Sequence, residues 1–221
     1  MAKRVRGPVA AWLACAGALV LLTLVAYGVG HAQRLDATAL SDLSVPGGST
    51  AGSLAEAVAF LADPLPLLLI LAALCGIALR RGRPLDAAAA ITVVVGANLT
   101  TQILKMLLAH PRYQPVLGWD QIDPVAFPSG HATAAASIAV AFALVVPRAR
   151  RRGAVAVGTG FVLAVGCSVV ALGWHYPSDV VGGVLVAVGW GFAVVALLRV
   201  AAPRPASPPD QLARRAAISV K

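Results

Sequence analysis

The segment Gly173-Trp174-His175-Tyr176-Pro177-Ser178-Asp179 sets an imidazole and a carboxylate four positions apart. If a helix begins here, Asp179 faces His175 across one turn and accepts a hydrogen bond from Nδ1–H, leaving Nε2 basic and outward. Such a histidine is either a metal ligand backed by a carboxylate or a nucleophile oriented by one. The neighbouring motifs hold no second carboxylate and no cysteine, which favours the nucleophile. A second histidine, His131, follows the turn Phe127-Pro128-Ser129-Gly130. A Pro-Ser-Gly turn opening a helix offers free backbone N–H groups, the positive end of the helix dipole and a serine hydroxyl, a combination suited to phosphate oxygens. An ordinary serine cap is the plainer explanation of Ser129 and Gly130. A cap alone, however, gives no reason for an ionisable ring at the head of an apolar segment.

Two cations complete the set. Asn98, Thr101, Gln102 and Lys105 stand at i, i+3, i+4 and i+7, one polar stripe on a helix. Lys105 alone would be a side chain snorkelling to a membrane surface. Arg112 follows seven residues later, after His110-Pro111, and two cations beside a water-facing pocket imply an anion.

The elements that must hold these residues are membrane helices. Of 221 residues, 59% are apolar and 12% charged, more apolar surface than a soluble domain of this size can cover. Long apolar runs recur along the chain, which points to an all-α polytopic bundle and excludes nucleic-acid binding and soluble nucleotide-binding folds. Six spans are expected, at Val9–Gly30, Asp63–Leu79, Asp86–Leu108, His131–Val146, Gly153–Gly173 and Val180–Val200. They form a domain over 9–202, between a short N-terminal segment 1–8 and a flexible basic tail 203–221 rich in proline. The net charge is +9, and 15 of the 18 Lys and Arg fall on one side of this layout. By the positive-inside rule that side, with both termini, is cytoplasmic. Arg34, Lys105 and Arg112 are left for the other side, with seven of the nine carboxylates at or beyond that membrane edge.

Two outer segments join spans, 31–62 and 109–130, the first with a turn at Pro46-Gly47-Gly48-Ser49 and a short interfacial helix expected near Leu54–Leu61. Asp63-Pro64 reads as an N-cap and first helical residue, so Asp63 is expected to cap rather than to catalyse. Cys15, Cys75 and Cys167 lie in apolar runs without metal-ligand spacing, as packing residues. Trp119 and Trp174, near the outer boundary, either line the entry to the site or anchor in an aromatic belt, the commoner role for tryptophan at that depth, and Trp190 is expected in packing or facing lipid.

Taken together, these residues resemble the type 2 phosphatidic acid phosphatase (PAP2) family of membrane lipid phosphatases. The family pattern Lys-x6-Arg-Pro is matched by Lys105 and Arg112, with Tyr113 in place of proline. Pro-Ser-Gly-His is matched in full by Pro128 to His131. Ser-Arg-x5-His-x3-Asp is matched by Ser168, His175 and Asp179, with Val169 in place of arginine. The likeness covers residues 86–190. It implies a phosphatase without metal or cofactor, in which His175 attacks phosphorus to give a phosphohistidine, Asp179 orients it, and His131 acts as acid and then base. Lys105, Arg112, Ser129 and Gly130 would hold the phosphate oxygens. The implied substrate is a phosphorylated lipid such as an undecaprenyl or decaprenyl pyrophosphate, phosphatidic acid or phosphatidylglycerophosphate. The site would face outward from a bacterial plasma membrane.

Val169 removes one bidentate phosphate contact, worth about 2.7–4 kcal/mol in the transition state by analogy with a lost oxyanion donor. Arg34 or His110 is expected to replace it in part. The alternative to catalysis is a weak or silent relative that binds a phosphorylated lipid as a sensor or scaffold. A transporter is a third and fainter option, since six spans without a repeat offer no midplane site.

Overall fold

The computed structural model describes residues 2–109, 111–112, 114–118 and 120–201, with side chains from residue 5 onward. The tail from 203, His110, Tyr113 and Trp119 lie outside the described residues. The regular structure of the described chain is helical: α1 (Ala2–Gly28), α2 (Gly30–Leu43), α3 (Thr50–Phe60), α4 (Pro64–Arg80), α5 (Pro84–Leu107), α6 (Gly130–Val145), α7 (Arg151–Ala171) and α8 (Pro177–Ala201). Pro64 and Pro84 sit in the first turns of α4 and α5, where a missing N–H costs nothing.

Each expected span coincides with one helix, the ends agreeing to within three residues except at α1, which begins seven residues earlier. Among the described residues, four stretches are long and apolar enough to cross a membrane: Val5–Gly28, Pro84–Leu107, Arg148–Ala171 and Pro177–Ala201. Helices α3 and α4 pass that test only as a pair, bent by 47°. Helix α6 has 16 residues, roughly 24 Å at the α-helical rise, short of a ~30 Å hydrocarbon layer.

Burial runs opposite to that of a soluble protein. Large aliphatics face outward, among them Leu24, Leu68, Leu163 and Leu197, each more than 60% exposed. Small residues fill the interior: Ala132, Thr133, Ala134, Ala135, Ala136 and Ser137 of α6 are all buried. Close helix contact through small side chains is the packing mode available where lipid is as apolar as leucine. Helix α6 lies between α5, α7 and α8, while α1 packs along α8 and α3 along α7. Trp190 of α8 rests on Gly96 of α5, where a Cβ would stand 2.7 Å from the indole, and its Nε1–H donates to Thr100 Oγ1 at 3.0 Å. Of the two roles expected for Trp190, packing and facing lipid, these contacts are packing.

Two polar contacts pin α5 to α6. Thr101 and Thr133 hydroxyls are 2.9 Å apart, and Asn98 Nδ2 donates to Ser137 Oγ at 3.3 Å. The expected polar stripe thus divides, Asn98 and Thr101 facing α6 while Gln102 and Lys105 line a cavity. Helix α8 lies close against the start of α6 at Gly183. A Cβ there would lie 2.5 Å from Ser129 O and 2.9 Å from Thr133 Oγ1, atoms fixed by the start of α6. Gly183→Ala is expected to destabilise the protein by about 1–3 kcal/mol, the usual range for overpacking, measured as a lower melting midpoint in detergent.

The segment expected as outer loop 31–62 is mostly helix. Ser49 caps α3, its Oγ accepting from Gly52 N–H at 3.0 Å, close to the expected interfacial helix. Helix α2 was not anticipated. Its Ala37 and Leu40 are buried against Val170 and Tyr176, so it docks on the end of the bundle that carries the histidines.

Candidate active site

The start of α6 sets one wall of the site. Pro128 and Ser129 are buried, and Ser129 N–H donates to the backbone carbonyl of Asp179 at 2.9 Å, tying α6 to α8. Ser129 Oγ accepts from Ala132 N–H at 3.3 Å, the serine cap allowed by the sequence, and the side chain has no exposure. Gly130 is the first helical residue, so its N–H has no partner inside the helix. Lys105 lies directly alongside, its Cε 4.0 Å from where a Gly130 Cβ would stand.

The second wall is the turn between α7 and α8. Gly173 has φ +73°, a left-handed conformation that glycine adopts without strain, and the chain reverses there into Trp174 and His175. Helix α8 begins only at Pro177, so His175 stands in the turn and not on the helix. The expected hydrogen bond across one helical turn is accordingly not formed: His175 Nδ1 is 3.6 Å from Asp179 Oδ2, within ion-pair reach but beyond hydrogen-bond length. Nδ1 is buried with no hydrogen-bond partner. Asp179 is fully buried, and its oxygens are already engaged. Oδ2 accepts from Tyr176 N–H at 3.0 Å, as a third-position carboxylate does in a capping box, and Oδ1 pairs with Arg112 Nη2.

Arg112 is not on the cavity wall with Lys105. Its side chain is 5% exposed and lies behind the His175–Asp179 pair. Nη1 donates to Ser178 Oγ at 3.0 Å and reaches Asp36 Oδ2 of α2 at 3.3 Å. The guanidinium also stacks over the rings of Tyr176 and Tyr27, at 4.2 and 5.2 Å. Asp36 accepts from Ser178 N–H at 3.0 Å and from the Ser178 hydroxyl. Burial nevertheless holds the Asp36 carboxyl above its ordinary range, outweighing the Ser178 hydrogen bonds and the nearby guanidinium. Burial also pushes the Tyr176 phenol up to about 12, so it stays protonated and donates to the Arg112 carbonyl at 3.1 Å.

The two histidines lie next to each other, and His175 lines a cavity. Their ring centroids are 6.3 Å apart, and Trp174, 44% exposed, packs 5.5 Å from His131. A space of about 380 Å³ opens beside them, lined by Gln102, Lys105, Asp123, Val125, Trp174 and His175 among others. Trp174 is thus part of the site wall, the first of the two roles the sequence left open for it. Among the described residues, Lys105 is the one Lys or Arg on that wall. Arg34, expected as a substitute cation, is exposed on α2 and does not line the cavity; His110 lies outside the described residues. Val169 has no exposure and sits in the interior of α7, with its carbonyl accepting from Trp174 N–H at 3.0 Å.

Asp63 departs from its expected role. It occupies the N-cap position of α4, but its side chain makes no capping bond. Its Oδ1 lies 3.0 Å from His131 Nε2 instead. A carboxylate there fixes which ring nitrogen carries hydrogen and stabilises the imidazolium, leaving Nδ1 for other partners. Asp36 and Asp63 are the two site residues that sequence reasoning missed. The available signal was an excess of outer carboxylates over outer cations, which requires some of them to have partners.

Residues 86–202 match the sequence model of the PAP2 superfamily, more than half of the chain. The fold is similar to the crystal structure of a transmembrane PAP2-type phosphatidylglycerolphosphate phosphatase from Bacillus subtilis, with a TM-score of 0.71 and 19% identity over 90% of this chain and 98% of that one. No curated protein matches. The three motifs, brought together by the ends of α5, α6 and α8, and the match across 86–202 place this chain in the PAP2 superfamily.

Proposed function

We propose that the chain is a metal-independent phosphatase that hydrolyses a lipid phosphate or pyrophosphate through a phosphohistidine. The observation that supports this reading is the pairing of two differently supported histidines, His175 beside Asp179 and His131 bonded to Asp63, with ring centroids 6.3 Å apart. A binding protein has use for Lys105 and free amides, but not for a buried carboxylate behind one ring and a second carboxylate on the other.

In the first step His175 Nε2 forms a bond to phosphorus while the bond to the lipid oxygen breaks, and His131 gives a proton to that oxygen. In the second, His131 takes a proton from water, the water oxygen bonds to phosphorus, the P–N bond breaks, and inorganic phosphate leaves. Lys105 and the Gly130 N–H are best placed to bind the equatorial oxygens, where charge shifts during transfer. The captive positions of Arg112 and Ser129 favour indirect roles, Arg112 fixing Asp179 and Ser129 fixing the start of α6. The clamp is therefore light, and with Val169 this favours a slow enzyme, or in the second reading a lipid-phosphate binder without turnover.

The exposed aliphatic belt and the charge asymmetry of the sequence support six spans with cytoplasmic termini, α6 reaching the surface through the turns at its ends. The site then faces outward from a bacterial plasma membrane. The substrate is an amphiphile with its phosphate at the depth of Lys105 and its tail in lipid: isoprenyl pyrophosphate, phosphatidic acid or phosphatidylglycerophosphate. Phosphate release from these three by purified protein in EDTA tests the assignment. Release that persists in EDTA names the substrate class, and no release by folded protein moves the assignment to the binder.

Asp63 carries a sharper expectation. Asp63→Asn leaves a hydrogen-bonding group but withdraws the charge that supports imidazolium, so kcat is expected to fall about 10- to 100-fold with KM little changed. The pH–rate profile should also move, because the carboxylate charge beside the His131 ring is gone. A profile that does not move would remove Asp63 from the mechanism.

A further inference from the structure

A larger cavity, of about 530 Å³, lies at the end of the bundle opposite His175. Its apolar wall includes Leu74 and Ile77 of α4, Phe142 of α6 and Val157 of α7, and its rim carries Arg81 and Arg150. The cavity opens beside the end of α6 at Val145 and the turn that follows it, which supplies Val146, Pro147 and Arg150. The size falls within the range of small-ligand pockets.

The charges at this end are not balanced from within. Arg83 is occupied, donating to Val145 O at 3.0 Å and pairing with Asp86. Arg151 is occupied, its Nε donating to Ala143 O at 2.9 Å. Those two bonds satisfy carbonyls at the end of α6 that would otherwise lack partners. The side chains of Arg81 and Arg150 make no hydrogen bond or ion pair among the described residues, and Asp86, the one described carboxylate at this end, is already taken by Arg83. Two free guanidiniums above an apolar cavity call for a ligand with an anionic head and an apolar tail. The wall also continues outward, for Ile77 is 42% and Val157 67% exposed on the lipid-facing surface.

We propose that this cavity binds one anionic phospholipid, its phosphate between Arg81 and Arg150 and one acyl chain along Ile77 and Val157. The lipid fills the cavity and neutralises the two arginines. This site is separate from the histidine cavity and stands whether or not the protein turns over a substrate. It requires only that the helices lie in a bilayer.

The test is a thermal melt of delipidated protein in detergent, titrated with phosphatidylglycerol, with phosphatidylcholine and inorganic phosphate in parallel. Phosphatidylglycerol is a phosphodiester and should raise the melting midpoint; the zwitterionic lipid and the free ion should do so far less. Arg81→Ala/Arg150→Ala removes two exposed side chains, so the lipid-free midpoint should hold. The lipid concentration needed should rise about 30-fold, taking roughly fivefold for each basic side chain at an anionic lipid. Lys105→Ala should leave the response intact, which separates this cavity from the catalytic one. Native mass spectrometry provides a second reading that does not depend on stability, with one phosphatidylglycerol retained per wild-type chain and none on the double variant. An unchanged response in the double variant overturns the site. Equal responses to phosphatidylcholine overturn its charge selectivity, and equal responses to inorganic phosphate overturn the role of the apolar wall.

Discussion

His175→Ala is expected to lower phosphate release by at least about 10⁴-fold while leaving the melting midpoint within a few degrees. The size follows from the role: removing the nucleophile of a covalent mechanism leaves only the binding and electrostatic contributions, which in well-studied hydrolases are a small residue of the total. The near-constant stability follows from the local geometry. His175 lies in the turn before α8, its Nδ1 has no hydrogen-bond partner, and the nearest Asp179 oxygen is 3.6 Å away. The carboxylate retains Arg112 and the Tyr176 N–H when the ring is gone. The 3.6 Å separation also suits an enzyme at rest, since catalytic hydrogen bonds commonly tighten only when substrate is bound. Steady-state phosphate release beside a detergent melt reads both quantities. A variant with wild-type rates would remove His175 from the chemistry.

Arg112→Ala is expected to have the largest effect on stability, about 3–5 kcal/mol, because it leaves two carboxylates buried without their cation. Asp179 has no exposed side chain and the Asp36 side chain is 11% exposed, so neither can recover hydration in place. Helix α2 should loosen as a consequence, for Asp36 and its bonds to Ser178 are the polar part of its attachment to the bundle. Arg112→Lys should recover only part of the loss, as an ammonium cannot serve Asp36, Asp179 and Ser178 from one plane or stack on Tyr176 as a guanidinium does. A melt of the two variants decides between two roles for this arginine. If Arg112 served mainly as a phosphate ligand, KM would rise and the midpoint would stay. The structure leads to the opposite outcome, in which stability falls first and activity falls with it through Asp179.

The distinction shows where sequence reasoning reached and where it stopped. Helices α4 to α8 were legible almost to the residue, because apolar runs ended by proline, glycine and arginine are local signals. His131, His175, Asp179 and Lys105 were legible as one constellation, since each sits beside a motif at a helix end and the ends of antiparallel helices meet. Asp36 and Asp63 were not, because their partners lie 142 and 68 positions away and no periodicity connects residues so far apart. Helix α2 escaped for a related reason: only Ala37 and Leu40 of its 14 residues are buried, too few to give an apolar stripe. Arg112 was found but its surroundings were not, and only the packing of α2 over the turn before α8 shows it turned toward carboxylates. The position of Val169 carries a similar lesson. In sequence it marks a missing phosphate contact; in the fold it is a fully buried side chain, so an arginine introduced there would need a new path to the cavity.

Rapid chemical quench during turnover of a lipid phosphate, followed by peptide mass spectrometry, tests the central claim most directly. At alkaline pH, where phosphohistidine survives, the peptide containing His175 should carry the mass of one phosphoryl group within the first turnover. The modification should be absent from His175→Ala and should accumulate in His131→Ala, if leaving-group expulsion still proceeds there, because the second step lacks its base. Phosphate release from wild-type protein with no phosphoryl group on His175 at any time point, quenched under conditions that preserve a phosphohistidine standard, would contradict the account.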